Sequence, residues 1–276
     1  MKRLVVSMIV CLTAVARAGS TDELACRRVR HEGLVDGPVV IGLYAADIGT
    51  GRSACLHGEL SLAEKLGATI DLPGFYGGVR ADTVLSGSYR LRKNLAVFGS
   101  IEMVHFEFVQ NGPFKATAIG LGQLSMGLQG LALETRRFAL SGYGRVIVPS
   151  DSSTVSVQTT GVELGVAGLF RPRRDLEVHG QLAADFSVGL SSAPPGWRGG
   201  TSLSVGVQYA PASWFALAVD LQATLGHRAA LDALLPLVAL RFRAWRGLGI
   251  ELAATGPVAG ADRRLAFGVL RIGYRF

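Results

Sequence analysis

The run Leu176-Glu-Val-His-Gly-Gln-Leu-Ala-Ala-Asp-Phe-Ser-Val-Gly-Leu190 decides the fold. Leu176, Val178, Gly180, Leu182, Ala184, Phe186, Val188 and Leu190 fill one set of alternate positions, and Glu177, His179, Gln181, Asp185 and Ser187 fill the other. Alternation with period two places the two sets on opposite faces of a β-strand, whereas an α-helix repeats every 3.6 residues and would mix them. Such a strand separates an apolar environment from a polar one.

The same division recurs on both sides of this stretch. In 137–148, Phe138, Leu140, Val146 and Val148 oppose Ser141, Tyr143 and Arg145; in 160–171, Val162, Leu164, Val166 and Phe170 oppose Glu163 and Arg171. Residues 202–209 set Leu203, Val205, Val207 and Tyr209 against Ser202, Ser204 and Gln208. Residues 214–225 set Phe215, Leu217, Val219, Leu221 and Leu225 against Asp220, Gln222 and Thr224. Counting along the chain predicts strands at 59–72, 81–91, 95–109, 117–133, 137–149, 160–171, 176–190, 200–210, 214–226, 234–244, 248–255 and 264–276. That makes about twelve strands, with ten and fourteen as the alternative counts.

The connections alternate in length. Arg92-Lys93-Asn94, Glu134-Thr135-Arg136, Arg173-Arg174-Asp175, Ala212-Ser213 and Trp245-Arg246-Gly247 are short turns, while longer Gly/Ser/Pro-rich stretches lie near 73–80, 110–116, 150–159, 191–199, 227–233 and 256–263. An even number of antiparallel strands with short turns at one end and long loops at the other is the pattern of an all-β, up-and-down transmembrane barrel. Tyr89, Phe138, Phe170, Tyr209, Phe215, Phe242, Tyr274 and Phe276 all fall on the apolar face near the short-turn end, where a barrel carries an aromatic girdle. A soluble sandwich buries aromatic rings without gathering them at one end.

Composition agrees. Of 276 residues, 49% are hydrophobic and only 18% charged, with 36 glycines, yet no run of eighteen apolar residues offers a membrane-spanning helix. The longest apolar stretch, Leu4 to Ala16, follows Lys2 and Arg3 and ends in Ala16-Arg17-Ala18, the small-x-small pattern cut by signal peptidase. Residues 1–18 are therefore read as a signal peptide cleaved after Ala18. Cys11 lies behind Ile9 and Val10 inside the apolar run, which excludes a lipoprotein lipobox. Removal of Lys2, Arg3 and Arg17 leaves 25 basic against 21 acidic residues, a formal +4. Lys and Arg form no long run and no nucleic-acid module, so nucleic acid is not an expected partner.

Residues 59–276 form the predicted barrel, and residues 19–58 an N-terminal extension within which Val39–Ala46 reads as a further strand, a plug or a periplasmic arm. Cys26 and Cys55 remain after export into an oxidising compartment, and a disulfide between them would stabilise by about 3 kcal/mol; the alternative is two unrelated thiols. Two places break the pattern. In 95–109 the apolar face changes from Leu95, Val97, Ile101 and Met103 to Val104, Phe106 and Phe108, which requires a β-bulge. Pro236 removes a ladder donor, so its strand is expected to begin later.

The last strand, Ala266, Gly268, Leu270, Ile272, Tyr274 and Phe276 on one face, resembles the carboxy-terminal signal of outer-membrane proteins, with Arg271 where that signal commonly has glycine. The resemblance implies that Tyr274 and Phe276 are read by the barrel-assembly machinery, and that the chain lies among lipid and lipopolysaccharide of a Gram-negative outer membrane. A second resemblance covers some thirty residues. Gly122-Gln123-Leu124-Ser125-Met126-Gly127-Leu128, followed by Val148-Pro149-Ser150-Asp151, looks like the G-D-L-x-x-G-L … L-P-T-G-D hairpin of FadL-like transporters of the phenol-degradation pathway group, with Gln123 replacing Asp and a shortened second half. It implies passage of small apolar or aromatic compounds.

In lipid the sheet must close and its polar face turns inward. The candidate pore-lining residues are then Arg145, Glu163, Arg171, Glu177, His179, Asp185, Asp220, Arg241, Arg243, Glu251 and Arg271. They allow two readings: a porin-like, water-filled channel for a small-molecule solute, or a salt-bridged filling in a structural or surface-interaction barrel. No catalytic centre, metal or cofactor is expected. Glu102 and His105 lie three apart and so on opposite faces unless the bulge intervenes. Glu177 with His179, and His105 with Glu107, share faces but lack a third partner at informative spacing. Gly120, Gly122 and Gly127 lack the spacing and following Lys of a phosphate loop, and a lipid-face hydrolase would need an outward His, whereas His179 points inward.

Overall fold

The computed structural model describes residues 24–26, 53–71, 76–111, 114–149, 159–189, 197–226, 231–245, 247–256, 258–259 and 265–276. The predicted signal peptide, the Val39–Ala46 segment and most of the loop at 191–199 lie outside the described residues. Thirteen antiparallel segments follow one another: β1 (Glu59–Asp71), β2 (Tyr76–Arg92), β3 (Leu95–Asn111), β4 (Phe114–Gly120), β5 (Gln123–Glu134), β6 (Phe138–Pro149), β7 (Thr159–Phe170), β8 (Leu176–Gly189), β9 (Trp197–Ala212), β10 (Phe215–Leu225), β11 (Leu231–Trp245), β12 (Leu248–Thr255) and β13 (Leu265–Arg275). Each pairs with its sequence neighbour except β4 with β5, and β1 pairs with both β2 and β13, so the sheet closes. Segments β4 and β5 pair with successive halves of β3 and together make one stave, giving a closed twelve-stranded barrel. No described helix is long and apolar enough to cross a membrane.

Closure leaves no unpaired backbone edge facing lipid, which is the condition for a sheet to exist there. Outside, Leu62, Leu66, Val146, Leu182, Val205, Val219, Leu240, Leu252 and Ile272 stand exposed. Tyr89, Phe170, Tyr209, Tyr274 and Phe276 project at the short-turn end, joined by Trp214 from the β9–β10 turn and Trp245 at the end of β11. Neither tryptophan is legible as a girdle residue from the sequence, because residues read as turn carry no alternation.

The predicted bulge is present. Glu102 faces Val84 and Val104 faces Thr83, leaving Met103 as the extra residue. Opposite it, the stretch read as one strand at 117–133 breaks at Leu121-Gly122. The break has a local cause. Glu102 folds its carboxylate against this backbone, its Oε2 accepting from Gln123 N at 3.1 Å. A Cβ on Gly122 would lie 1.8 Å from that same oxygen. Three expectations about strand ends are corrected. Strand β2 begins at Tyr76 rather than 81 and β9 at Trp197 rather than 200, because antiparallel pairing carries weak strand formers such as Gly77 and Gly78 into the ladder. Strand β11 begins at Leu231, before Pro236, instead of after it. Thr255 Oγ1 donates to the Pro236 carbonyl at 2.7 Å, so the imide nitrogen faces the β12 side just beyond the last β12 pair, Leu237 with Thr255, where the ladder needs no donor.

The extension enters the short-turn mouth. Cys26 and Cys55 form a disulfide. Together with Ala25 and Ala54 they pack on Ala139, Leu169 and Leu131 of the inner wall. Ala25 N donates to Thr135 O, Cys26 N to Glu134 Oε1, Gln129 Nε2 to Ser53 O, and Ser88 Oγ to His57 O. The described parts of the extension thus pack against the inner wall at this mouth.

Candidate functional site

The interior is the candidate site, and alternation builds it: the odd residues of β8 and the even residues of β10 point inward by the same rule that sends their neighbours to lipid. Two charge clusters and two smaller pairs line it. In the first cluster, Arg171 Nη2 donates to Glu177 Oε2 at 2.5 Å, and His179 stands between Glu177 Oε1 at 3.2 Å and Asp220 Oδ1 at 2.6 Å. This chain of contacts crosses three staves, and the middle one supplies Gly206. A Cβ there would lie 1.8 Å from Asp220 Oδ1 and 2.7 Å from His179 Nε2, so the glycine is the floor on which the imidazole and the carboxylate meet. Alongside, Arg241 Nε donates to Glu251 Oε2 at 2.7 Å, and its Nη1 to Gln208 Oε1.

The second cluster sits nearer the long-loop end. Arg80 Nε donates to Asp82 Oδ2 at 2.7 Å and Arg80 Nη2 to Glu102 Oε1 at 3.3 Å; Lys65 Nζ lies 3.7 Å from Asp82. His105 Nδ1 contacts Asp82 Oδ1 at 2.8 Å and Glu102 Oε1 at 3.2 Å. The bulge at Met103 is what brings Glu102 and His105, three apart, onto one face. Asp82, Glu102 and His105 offer donor atoms within 4.8 Å of one another, a span a metal ion could bridge. Arg80 and Lys65 already compensate the two carboxylates, so the chemistry of the donor set is that of an ion-pair network. Lys65 also lies 3.9 Å over the Phe267 ring.

Elsewhere Arg145 Nη2 donates to Glu163 Oε2 at 2.6 Å, and Asp185 is buried beside Glu163 in the β7–β8 ladder. Glu59 is held at the short-turn mouth by Arg271 and by Arg275 Nε at 3.1 Å. Arg243 lies half-buried on the face of Arg241. Every residue read from the sequence as pore-lining therefore points inward. Not legible beforehand were Lys65, Arg80, Asp82 and Glu59, and the hydrogen bond from Gln181 Nε2 to the Tyr143 hydroxyl at 2.5 Å.

The interior also has an apolar side. Leu235, Leu237, Phe267 and Val269 pack together with Ala218, Ala239 and Ala253 on the inner faces of β10–β13. At the short-turn mouth a cavity of about 60 Å³ remains between the extension and the wall, lined by Ser53, His57, Ser61, Ser86, Ser88 and Gln129 among others. The arrangement combines paired charges, an apolar lane and an extension packed at one mouth.

No protein-family model matches this sequence, and no curated protein matches it. Solved structures share its fold. The COG4313 outer membrane channel from Pseudomonas putida F1 superposes with a TM-score of 0.64 at 12% identity, over 87% of this chain and 100% of that one. The KdgM porin in complex with disordered oligogalacturonate gives 0.54 at 10% identity, over 79% and 99%. The translocator domain of the autotransporter NalP from Neisseria meningitidis gives 0.52 at 13% identity, over 82% and 90%. At these identities the likeness establishes the architecture of an outer-membrane barrel.

Proposed function

We propose that the chain is an outer-membrane channel for the passive passage of small solutes, plugged at one mouth by its own N-terminal extension. Its leader is removed after Ala18, the barrel-assembly machinery reads Tyr274 and Phe276, and lipid and lipopolysaccharide surround the wall. The observation that carries this reading is the interior's choice of side chains. Replacing buried ion pairs with apolar side chains of similar volume is often neutral or stabilising. A lumen that only had to be full would therefore gain nothing from Arg145 with Glu163, Arg171 with Glu177, or Arg241 with Glu251. Such charges suit a wall that meets water and polar solute when the plug leaves. The apolar lane of Leu235, Leu237, Phe267 and Val269 supports small apolar or aromatic compounds as the solute class, in line with the FadL-like hairpin. The shared fold with a channel and a porin supports the same class of activity.

A structural or surface-interaction barrel is the second reading, favoured by one observation: the Arg241 and Glu251 side chains are 1% and 0% exposed. Planar-bilayer recording of the refolded chain separates the two. The channel reading expects discrete conductance steps, with selectivity shifted toward anions by Glu177→Lys and Asp185→Lys. A silent bilayer, with the disulfide either intact or reduced, would leave the filled barrel.

A further inference from the structure

The short-turn rim is basic along one half of the barrel. Three successive turns each carry an adjacent pair of cations: Arg92-Lys93 between β2 and β3, Arg136-Arg137 between β5 and β6, and Arg173-Arg174 between β7 and β8. All six residues are exposed. The staves that bear them, β2, β3, β5, β6, β7 and β8, are consecutive in the sheet, so the pairs form one arc and recur about every 10 Å, two strand spacings. The next turn, Ala212-Ser213-Trp214 between β9 and β10, holds no charge.

Hydrogen bonds hold these turns in shape. Arg90 donates to Arg92 O at 3.0 Å and to Lys93 O at 2.6 Å. Thr135 Oγ1 accepts from Phe138 N at 3.0 Å, and Arg171 N donates to Arg137 O at 2.7 Å, which fastens the second turn to the third. The acidic neighbours are engaged: Glu134 accepts from Cys26 N, and Asp175 is bridged by Arg173, whose side chain is still 71% exposed.

The position of the pairs selects their partner. Each adjoins an aromatic residue of the outward girdle on its own hairpin. Tyr89 stands three residues before Arg92, Phe138 directly follows Arg137, and Phe170 stands three residues before Arg173; Phe138 and Phe170 are level across the β6–β7 ladder. Girdle aromatics lie at headgroup depth, so the cations stand at the phosphate layer of the leaflet that meets the short turns. Lipid surrounds a barrel at all times, and the pairs follow its circumference rather than gathering on its end face, where a soluble acidic protein would dock. Cations at this depth attract anionic headgroups, and a guanidinium matches the oxygens of a phosphate.

We propose that this arc selects anionic phospholipids from the leaflet facing the short turns, with Arg92-Lys93, Arg136-Arg137 and Arg173-Arg174 as three headgroup sites. The arc lies outside the lumen, so its lipid preference stands or falls separately from conductance.

The test refolds the full chain into phosphatidylcholine vesicles and uses electron spin resonance of chain-labelled phosphatidylglycerol and phosphatidylcholine to read their relative association with the barrel. One cation near the headgroups is worth about fivefold in lipid partition, which averages to a preference of about threefold when half the staves bear the arc. Replacing all six cations by serine should bring the preference to near unity, and each pairwise replacement should remove part of it. Replacing the five arginines by lysine should keep most of it, which separates lost charge from a misfolded barrel. Lys115→Ser, at an exposed position of β4 near the long-loop end, should leave it unchanged, and about 1 M salt, with a Debye length of about 3 Å, should suppress it. No preference in the wild type, a preference that survives the serine variants, or equal loss from Lys115→Ser overturns the proposal. Displacement of the labelled lipid by dissolved glycerol phosphate would assign the arc to a free phosphate compound, and capture of soluble polyglutamate without lipid preference would assign it to an acidic protein; either outcome also overturns it.

Discussion

Breaking the Cys26–Cys55 disulfide should open the plugged mouth while leaving the barrel intact. The bond closes a loop between residues 29 apart, for which the chain-entropy estimate is about 3.5 kcal/mol. That stabilisation belongs to the docked extension, because the barrel wall begins after the second cysteine. Among the described residues docking is otherwise held by five hydrogen bonds to the wall, the fifth from Phe276 N to Gly58 O, each worth about 1 kcal/mol net, and by the burial of Ala25 and Ala54, against the entropy of ordering both arms. Losing about 3.5 kcal/mol shifts the docked-to-undocked ratio roughly 300-fold, enough to turn a closed mouth into one that opens often. The assay is single-channel recording of the Cys26→Ser/Cys55→Ser chain, and of wild type before and after reductant. Longer open times and a larger mean current are expected in both, with the urea midpoint of the barrel unchanged. If recordings of reduced and oxidised protein coincide while thiol labelling confirms reduction, the extension does not occlude the path and the reasoning fails.

Two further changes probe the wall. Gly206→Val puts carbon where Asp220 Oδ1 and His179 Nε2 now sit, and should destabilise the barrel by about 1–3 kcal/mol through overpacking, read as a lower guanidinium midpoint in micelles; an unchanged midpoint would mean that the His179–Asp220 contact has room to relax. Arg241→Met strands Glu251 as a buried lone charge and should cost about 3–5 kcal/mol, whereas Arg241→Met with Glu251→Leu should recover most of that loss, the same unfolding assay deciding between them.

Much of this architecture is written locally. A strand between lipid and an interior must alternate, and alternation needs no knowledge of partners, so residues 176–190 and their counterparts announce strand, face and count. Even the bulge in β3 is visible as the jump from Met103 to Val104. The side of the wall on which Arg145, Glu177 or Arg241 lies follows from the same parity. The presence of Cys26 and Cys55 in a chain whose N-terminus reads as an export signal is enough to suggest their bond.

What parity cannot supply is register, because which residues of neighbouring staves stand level depends on hairpin length, bulges and the shear at which the sheet closes. Only the closed structure could therefore bring Lys65, Arg80, Asp82, Glu102 and His105 together from three strands, or set Gly206 beneath His179 and Asp220. Pro236 looked like a strand breaker because its tolerance depends on where the neighbouring strand ends. The seat of the extension, too, is decided by tertiary structure, since the inner wall that receives Ala25 and Ala54 comes from β5, β6 and β7. The sequence by itself determined the wall and its two faces, because those depend on each residue's own neighbours along the chain. The closure of the sheet decided what meets inside it and at its mouth, because those contacts join residues far apart in sequence.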